Sequence, residues 1–191
     1  MQTPSNAERG ATLMSEALAH HYAAHGLPSD GGASNPWFVV RIGWLKVRLP
    51  NPPSRRRAVI WHDINHVVTG YNTTFSDGEM SIAAFEVGAG CGRVAIAWFL
   101  NLSLFALGLI VRPRDVFTAF VRGRHSGSIY HIGRDAASLA AMSVDDVRAL
   151  LRVDPGGGRP RLRDRIAFAV TSAIAWLLWL VVPIAVLGSR V

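Results

Sequence analysis

The chain has a single cysteine, Cys91, and a single lysine, Lys46. One thiol excludes an internal disulfide and any multi-thiolate metal site, and leaves nothing from which to build an iron-sulfur cluster or a soft Cu(I) site. Cys91, between Gly90 and Gly92, reads as a small packing residue. The N-terminus lacks an apolar leader: Met1 to Gly10 is polar, so no secretory signal is expected, and the chain is expected to stay on the cytoplasmic side. No internal repeat and no flavin, nicotinamide, haem or nucleic-acid-binding motif is present. Acidic residues are few, 13 against 20 basic ones, for a net charge of +7 carried almost wholly by arginine. The arginines cluster beside apolar runs, which points to an anionic membrane surface and away from nucleic acid.

What is present in quantity is apolar. Half of the 191 residues are hydrophobic and the mean hydropathy is +0.23, a composition for one domain in contact with lipid. Apolar spacing predicts a helix over residues 8–25, in which His20, His21 and His25 read as surface residues. A Gly, Ser, Asp and Asn-rich loop follows from Pro28 to Pro36, then Trp37 to Leu49 reads as a short hairpin or extended arm stopped by Pro50, Pro52 and Pro53. Residues 1–53 form this N-terminal part.

Chemistry concentrates in residues 62–86, HDINHVVTGYNTTFSDGEMSIAAFE. On a helix of about residues 55–69, capped by Ser54, His62 and His66 stand one turn apart, with Asp63 100° round from His62. Gly70 ends this helix. Asp77 and Gly78 read as the cap and turn opening a second helix from 77 to about 87, whose Glu79 can swing back toward the first. His62, Asp63, His66 and Glu79 are therefore the candidate metal ligands and catalytic residues. This nitrogen and oxygen set suits a divalent cation, Zn²⁺ first, with Mg²⁺, Mn²⁺ or Fe²⁺ as alternatives. Asp63 serves equally as a partner orienting one of the histidines or as a general base. Glu86, seven residues after Glu79 on the same face, is either a supporting residue or solvated.

The run Val94 to Val111 is eighteen residues without a charge, at the lower edge of a membrane span. Asn101 and Ser103 near its middle favour a buried helix lining an apolar cavity. Ser143 with Asp146 resembles a capping pair for a short helix ending near Leu151. Residues 154–165 are Gly, Pro and Arg-rich and read as a basic linker. Residues 166–188 are twenty-three residues without a charge and predict a transmembrane helix. Arg159, Arg161, Arg163 and Arg165 before it place the N-terminal domain on the cytoplasmic side of a single-pass membrane protein.

In order, HD..H, TGY, a Gly-Glu pair and AFE, this segment resembles the Coq4 family of ubiquinone-biosynthesis proteins. The likeness continues through the apolar helix, Arg112-Pro113-Arg114, Arg122-Gly123-Arg124, and Val147-Arg148 with Leu150 and Leu151, covering residues 54–153. Two departures stand out: twelve residues separate His66 from Glu79 where the family has eleven, and the C-terminal apolar segment is not typical of it. The resemblance implies an all-α fold, a divalent cation held by His62, Asp63, His66 and Glu79, and an apolar channel for a polyprenyl tail. It implies removal or oxidation of a ring carboxylate on a prenylated quinone precursor or other isoprenoid lipid, in company with other quinone-biosynthesis proteins and with a homodimer among the arrangements open to it. The alternative is a non-catalytic scaffold presenting the prenyl lipid to partner enzymes.

Overall fold

The computed structural model describes residues 12–42 and 45–188, of which residues 40–42, 45, 47 and 181–188 are described by backbone alone. It is mostly helical. Helix α1 spans Met14–Ala24, strands β1 Trp37–Ile42 and β2 Leu45–Pro50 form a hairpin, and α2 spans Pro53–Thr69. A π-helical turn, Phe75–Glu79, runs directly into α3, Met80–Ala89. Helices α4 Ala95–Val111 and α5 Pro113–His125 follow, then short α6 Ala136–Ala140 and α7 Val144–Leu150, and finally α8 Leu162–Gly188. The expected residues 8–11 of the N-terminal helix lie outside the described residues. The segment from Trp37 is a hairpin, antiparallel with Trp37 opposite Pro50 and Ile42 opposite Leu45.

Helix α3 organises the core because it has no polar face. Every residue from Met80 to Val87 is buried, and such a helix is stable only when wrapped on all sides. One side meets Met14, Leu18, Ile64, Val68, Leu139 and Val147 from α1, α2, α6 and α7. The other meets Phe105, Ala106, Val116 and Phe120 of α4 and α5. Helices α3 and α5 cross through glycine. A Cβ on Gly88 would lie 2.2 Å from the Phe120 carbonyl oxygen, and one on Gly123 would lie 2.0 Å from that of Phe85. Close backbone approach replaces side-chain interdigitation at this crossing.

Several local expectations change. Ser54 is not a cap: Pro52 occupies the N-cap position without a side-chain bond, and Pro53 starts the helix with its φ already set. Asp77 lies inside the π turn and caps nothing. The Arg122-Gly123-Arg124 stretch forms the last turn of α5, whose Val116, Ala119, Phe120 and Gly123 keep one face against the core. Ser143 does cap α7, its Oγ accepting the Asp146 N–H at 3.1 Å.

The C-terminal helix is docked for much of its length. Asp164 is buried and accepts from Arg124 Nε at 2.9 Å, while His125 Nε2 lies 3.0 Å from its other oxygen. Phe168 inserts among Phe105, Phe117 and Phe120 at ring separations of 5.6, 5.0 and 5.4 Å, and Ala175 is fully buried. Among the described residues no helix is long and apolar enough to cross a membrane. The expected span of 166–188 runs into residues 181–188, whose side chains are outside the description, and the described part of α8 opens with Arg163, Asp164 and Arg165. Its outer stripe, Ile166, Val170, Ile174, Leu177 and Leu180, is exposed.

Candidate metal centre

Helix α2 carries three of the four expected ligands, His62, Asp63 and His66, and its C-terminal end is held from three directions. Gly70 takes the left-handed conformation, φ 77°, and its N–H bonds to the His66 carbonyl at 2.9 Å. Arg148 of α7 donates from Nε to the Val68 carbonyl at 3.0 Å and from Nη2 to the Val67 carbonyl at 3.3 Å. Arg122 of α5 donates from Nη1 to the Thr69 carbonyl at 2.9 Å and from Nε to the Asp154 carbonyl at 2.9 Å. Two guanidinium groups thus satisfy carbonyls that the helix cannot satisfy itself, where the helix dipole favours positive charge.

Glu79 arrives by a different device. The π turn closes with the Glu79 N–H on the Thr74 carbonyl at 3.0 Å, taking one residue more than an α turn. A Cβ at Gly78 would lie 1.5 Å from the Asn72 carbonyl oxygen, so only glycine lets the loop fold against this turn. The longer gap between His66 and Glu79 falls in a segment that carries a residue-consuming π turn next to the site.

His62, His66 and Glu79 converge. The two Nε2 atoms are 3.2 Å apart, and each lies 3.4 Å from one oxygen of Glu79. Donors about 2.0–2.1 Å from a tetrahedral metal are separated from one another by about 3.3 Å; here the two contacts to Glu79 use different oxygens, and one ligand atom from each residue lies within 4.8 Å of the others, close enough for a cation to gather them. The outer nitrogens decide the tautomers. His66 Nδ1 is 3.0 Å from the Tyr71 carbonyl, and His62 Nδ1 is 3.2 Å from Glu86 Oε1. A carbonyl and a carboxylate can only accept, so both rings carry a proton on Nδ1 and turn Nε2 toward the centre. Two bare lone pairs at that distance would repel, so either a proton or a cation lies between them. Metal-binding histidines characteristically have their second nitrogen fixed by a carbonyl or carboxylate in this way.

The electrostatics agree. Burial disfavours charge on His62, but the adjacent Glu86 charge and the bonds to Glu79 and Glu86 outweigh it and raise the metal-free imidazole well above its ordinary value. Burial likewise opposes ionisation of Glu79 and Glu86. Bonds from His62 and His66 nevertheless hold Glu79 well below the usual carboxylate range, and the His62 charge with bonds from His62, Asn65 and Tyr130 lowers Glu86.

Asp63 is not brought into the triangle. One residue beyond His62 it faces α1, where it is buried and its Oδ2 accepts from the Tyr22 hydroxyl at 2.9 Å. Burial raises its pKa, in contrast to Glu79. Glu86, left open between support and solvation, is 1 % exposed and accepts from Asn65 at 2.8 Å, Tyr130 at 2.8 Å and Asn101. Asn65, Asn101 and Tyr130 were not singled out as supports of the site; the polar Asn101 in the middle of an apolar run was the one available signal. His21 is also misread as a surface residue: its ring stacks on His66 at 5.6 Å, its Nε2 is buried without a partner, and burial followed by the His66 charge pushes its pKa down to about 4. Cys91 is buried with Sγ 3.6 Å from Asn101 Nδ2, and burial pushes the thiol up to about 12, as suits a packing residue.

His62, Glu79 and Glu86 line one wall of a cavity of about 360 Å³. Helix α4 contributes Ile96, Leu100, Leu104 and Leu107 to its wall. The run of residues 94–111 therefore lines an apolar cavity, as Asn101 and Ser103 suggested. Phe38, Arg55 and Trp179 complete it from the hairpin, α2 and α8. No family model, no curated protein and no solved structure matches this chain.

Proposed function

We propose that this is a membrane-associated protein that holds a divalent cation on His62, His66 and Glu79 and acts on a prenylated quinone precursor or related isoprenoid lipid. The observation that carries the metal is the convergence of the two Nε2 atoms, 3.2 Å apart, on Glu79, with each ring fixed from behind by Tyr71 or Glu86. Three protein donors leave coordination positions open, the pattern of a catalytic zinc site and also of a two-histidine, one-carboxylate Fe²⁺ site. Zn²⁺ is the first candidate. Asp63 falls to the role of a positioning residue, bonded to Tyr22 behind the helix that carries both histidines.

The apolar wall of α4 in the same cavity supports a lipid ligand with its polar end at the cation and its hydrocarbon along Leu100, Leu104 and Leu107. A bound cation supplies Lewis-acid polarisation of a ring carboxylate or hydroxyl oxygen. The exposed stripe of α8 with Trp176 and Trp179, next to exposed Phe99, Ile110 and Val111 of α4, supports contact with lipid through this side of the molecule. In this reading the segment expected as a transmembrane anchor, 166–188, meets lipid through the exposed stripe of α8. The likeness to ubiquinone-biosynthesis proteins in residues 54–153 supports the quinone precursor as ligand.

The test is mass spectrometry of lipid co-purified with the full chain, compared between the natural protein and Glu79→Gln. A prenylated aromatic lipid in the natural protein, depleted in the variant, is the expected outcome. Absence of any prenyl lipid from both contradicts the reading.

A further inference from the structure

Arg55 is the one guanidinium in the wall of the cavity, and it has no carboxylate partner among the described residues. Its plane lies over the Phe38 ring at 3.6 Å. Its Nη1 donates to Asn51 Oδ1 at 3.1 Å, and Asn51 is itself buried and fixed by Nδ2 bonds to the Gly32 and Asn35 carbonyls at 3.3 and 2.7 Å. One end of the fork is thus held rigidly. The Nε–H is sealed from solvent with no acceptor, so a ligand meets the group through its terminal nitrogens. A permanent cation in an apolar wall without a carboxylate partner favours an anion beside it.

We propose that Arg55 is the anchor for an oxyanion, a carboxylate or phosphate, on the ligand of this cavity, which is therefore an amphipathic acid. Arg55 and His62 are seven residues apart on α2, on one face and about 10 Å apart along the axis. Arginine side chains lean toward the helix N-terminus, and Phe38 and Asn51 lie at that end. The oxyanion therefore sits at the hairpin end of the cavity and the metal donors at the other, with the apolar wall of α4 between. The ligand carries a second polar group remote from the one at the cation. This rests on the lipid-site reading above but not on the metal, because Arg55 requires no cation to act.

Dodecanoate, dodecyl phosphate and dodecanol are titrated calorimetrically into the full chain, metal-loaded and metal-stripped. At least one of the two acids is expected to bind the metal-stripped protein at least tenfold more tightly than the alcohol. The one with the larger ratio identifies the headgroup. Arg55→Gln is expected to remove the preference while leaving dodecanol binding and zinc stoichiometry unchanged, and Arg55→Lys, which keeps the charge, to retain most of it. Equal binding of acids and alcohol, or a preference that survives in Arg55→Gln or vanishes equally in Arg55→Lys, overturns the assignment. A preference present only in the metal-loaded protein also overturns it, placing the oxyanion on the cation; loss of zinc binding with the preference intact would instead contradict the metal reading alone.

Discussion

Replacing Glu86 with glutamine changes one buried oxygen for an NH₂, and its consequence can be worked from four contacts. Oε1 faces Asn65 Nδ2 and His62 Nδ1, while Oε2 faces Asn101 Nδ2 and the Tyr130 hydroxyl. Whichever oxygen becomes the amide nitrogen confronts two donors, and the charge that strengthened all four bonds is gone. Losing two bonds to a buried charged acceptor costs about 3–5 kcal/mol, less whatever a rotated Tyr130 hydroxyl or flipped Asn101 amide recovers. For a chain of 191 residues that corresponds to a fall in Tm of about 10 °C. His62 also loses the acceptor that fixes its tautomer, so zinc affinity should fall about 10–100-fold. Thermal unfolding by circular dichroism, with and without zinc, and competition against a chromophoric chelator measure both. A fall in Tm below about 3 °C with zinc affinity unchanged would refute the view that Glu86 positions His62.

Arg148→Met removes both hydrogen bonds to the last carbonyls of α2 and should cost about 2 kcal/mol in urea unfolding, while Arg114→Met on the exposed face of α5 should cost almost nothing. Because the metal-free His62 imidazole has its pKa raised well above the ordinary value, it is protonated at neutral pH, and zinc must displace that proton. Calorimetry at pH 7 in buffers of different ionisation enthalpy should therefore show about one proton released per zinc, with apparent affinity rising about tenfold per pH unit below the His62 pKa; no proton release would contradict the raised His62 pKa. Gly123→Ala pushes a Cβ into the Phe85 carbonyl and should lower stability by about 1–3 kcal/mol in the same unfolding assay.

The helices were legible wherever apolar spacing or a strong stop signal existed: Gly70 after His66, Ser143 before α7, and the uncharged run of α4 all read correctly. So did the convergence of His62, His66 and Glu79, because a four-residue spacing on a helix fixes which side chains share a face. Asp63 was misassigned for the same geometric reason, since a neighbour 100° round can serve the site or the opposite wall, and only the position of Tyr22, 41 residues earlier, decides. Long-range partners were the illegible part. Nothing local marks Arg122 and Arg148 as caps of α2, or Tyr130 and Asn101 as donors to Glu86. The π turn at residues 75–79 also leaves no propensity signal; the glycine it needs looks like any loop glycine until Asn72 is seen above it.

The claim on which the rest depends is that His62, His66 and Glu79, without Asp63, hold one divalent cation. Elemental analysis of the purified full chain, its Asp63→Asn variant and its His66→Ala variant tests it directly. About one equivalent of metal in the natural protein and in Asp63→Asn, with little or none in His66→Ala, is the predicted result. No stoichiometric metal in the natural protein, or loss in Asp63→Asn equal to that in His66→Ala, would contradict it.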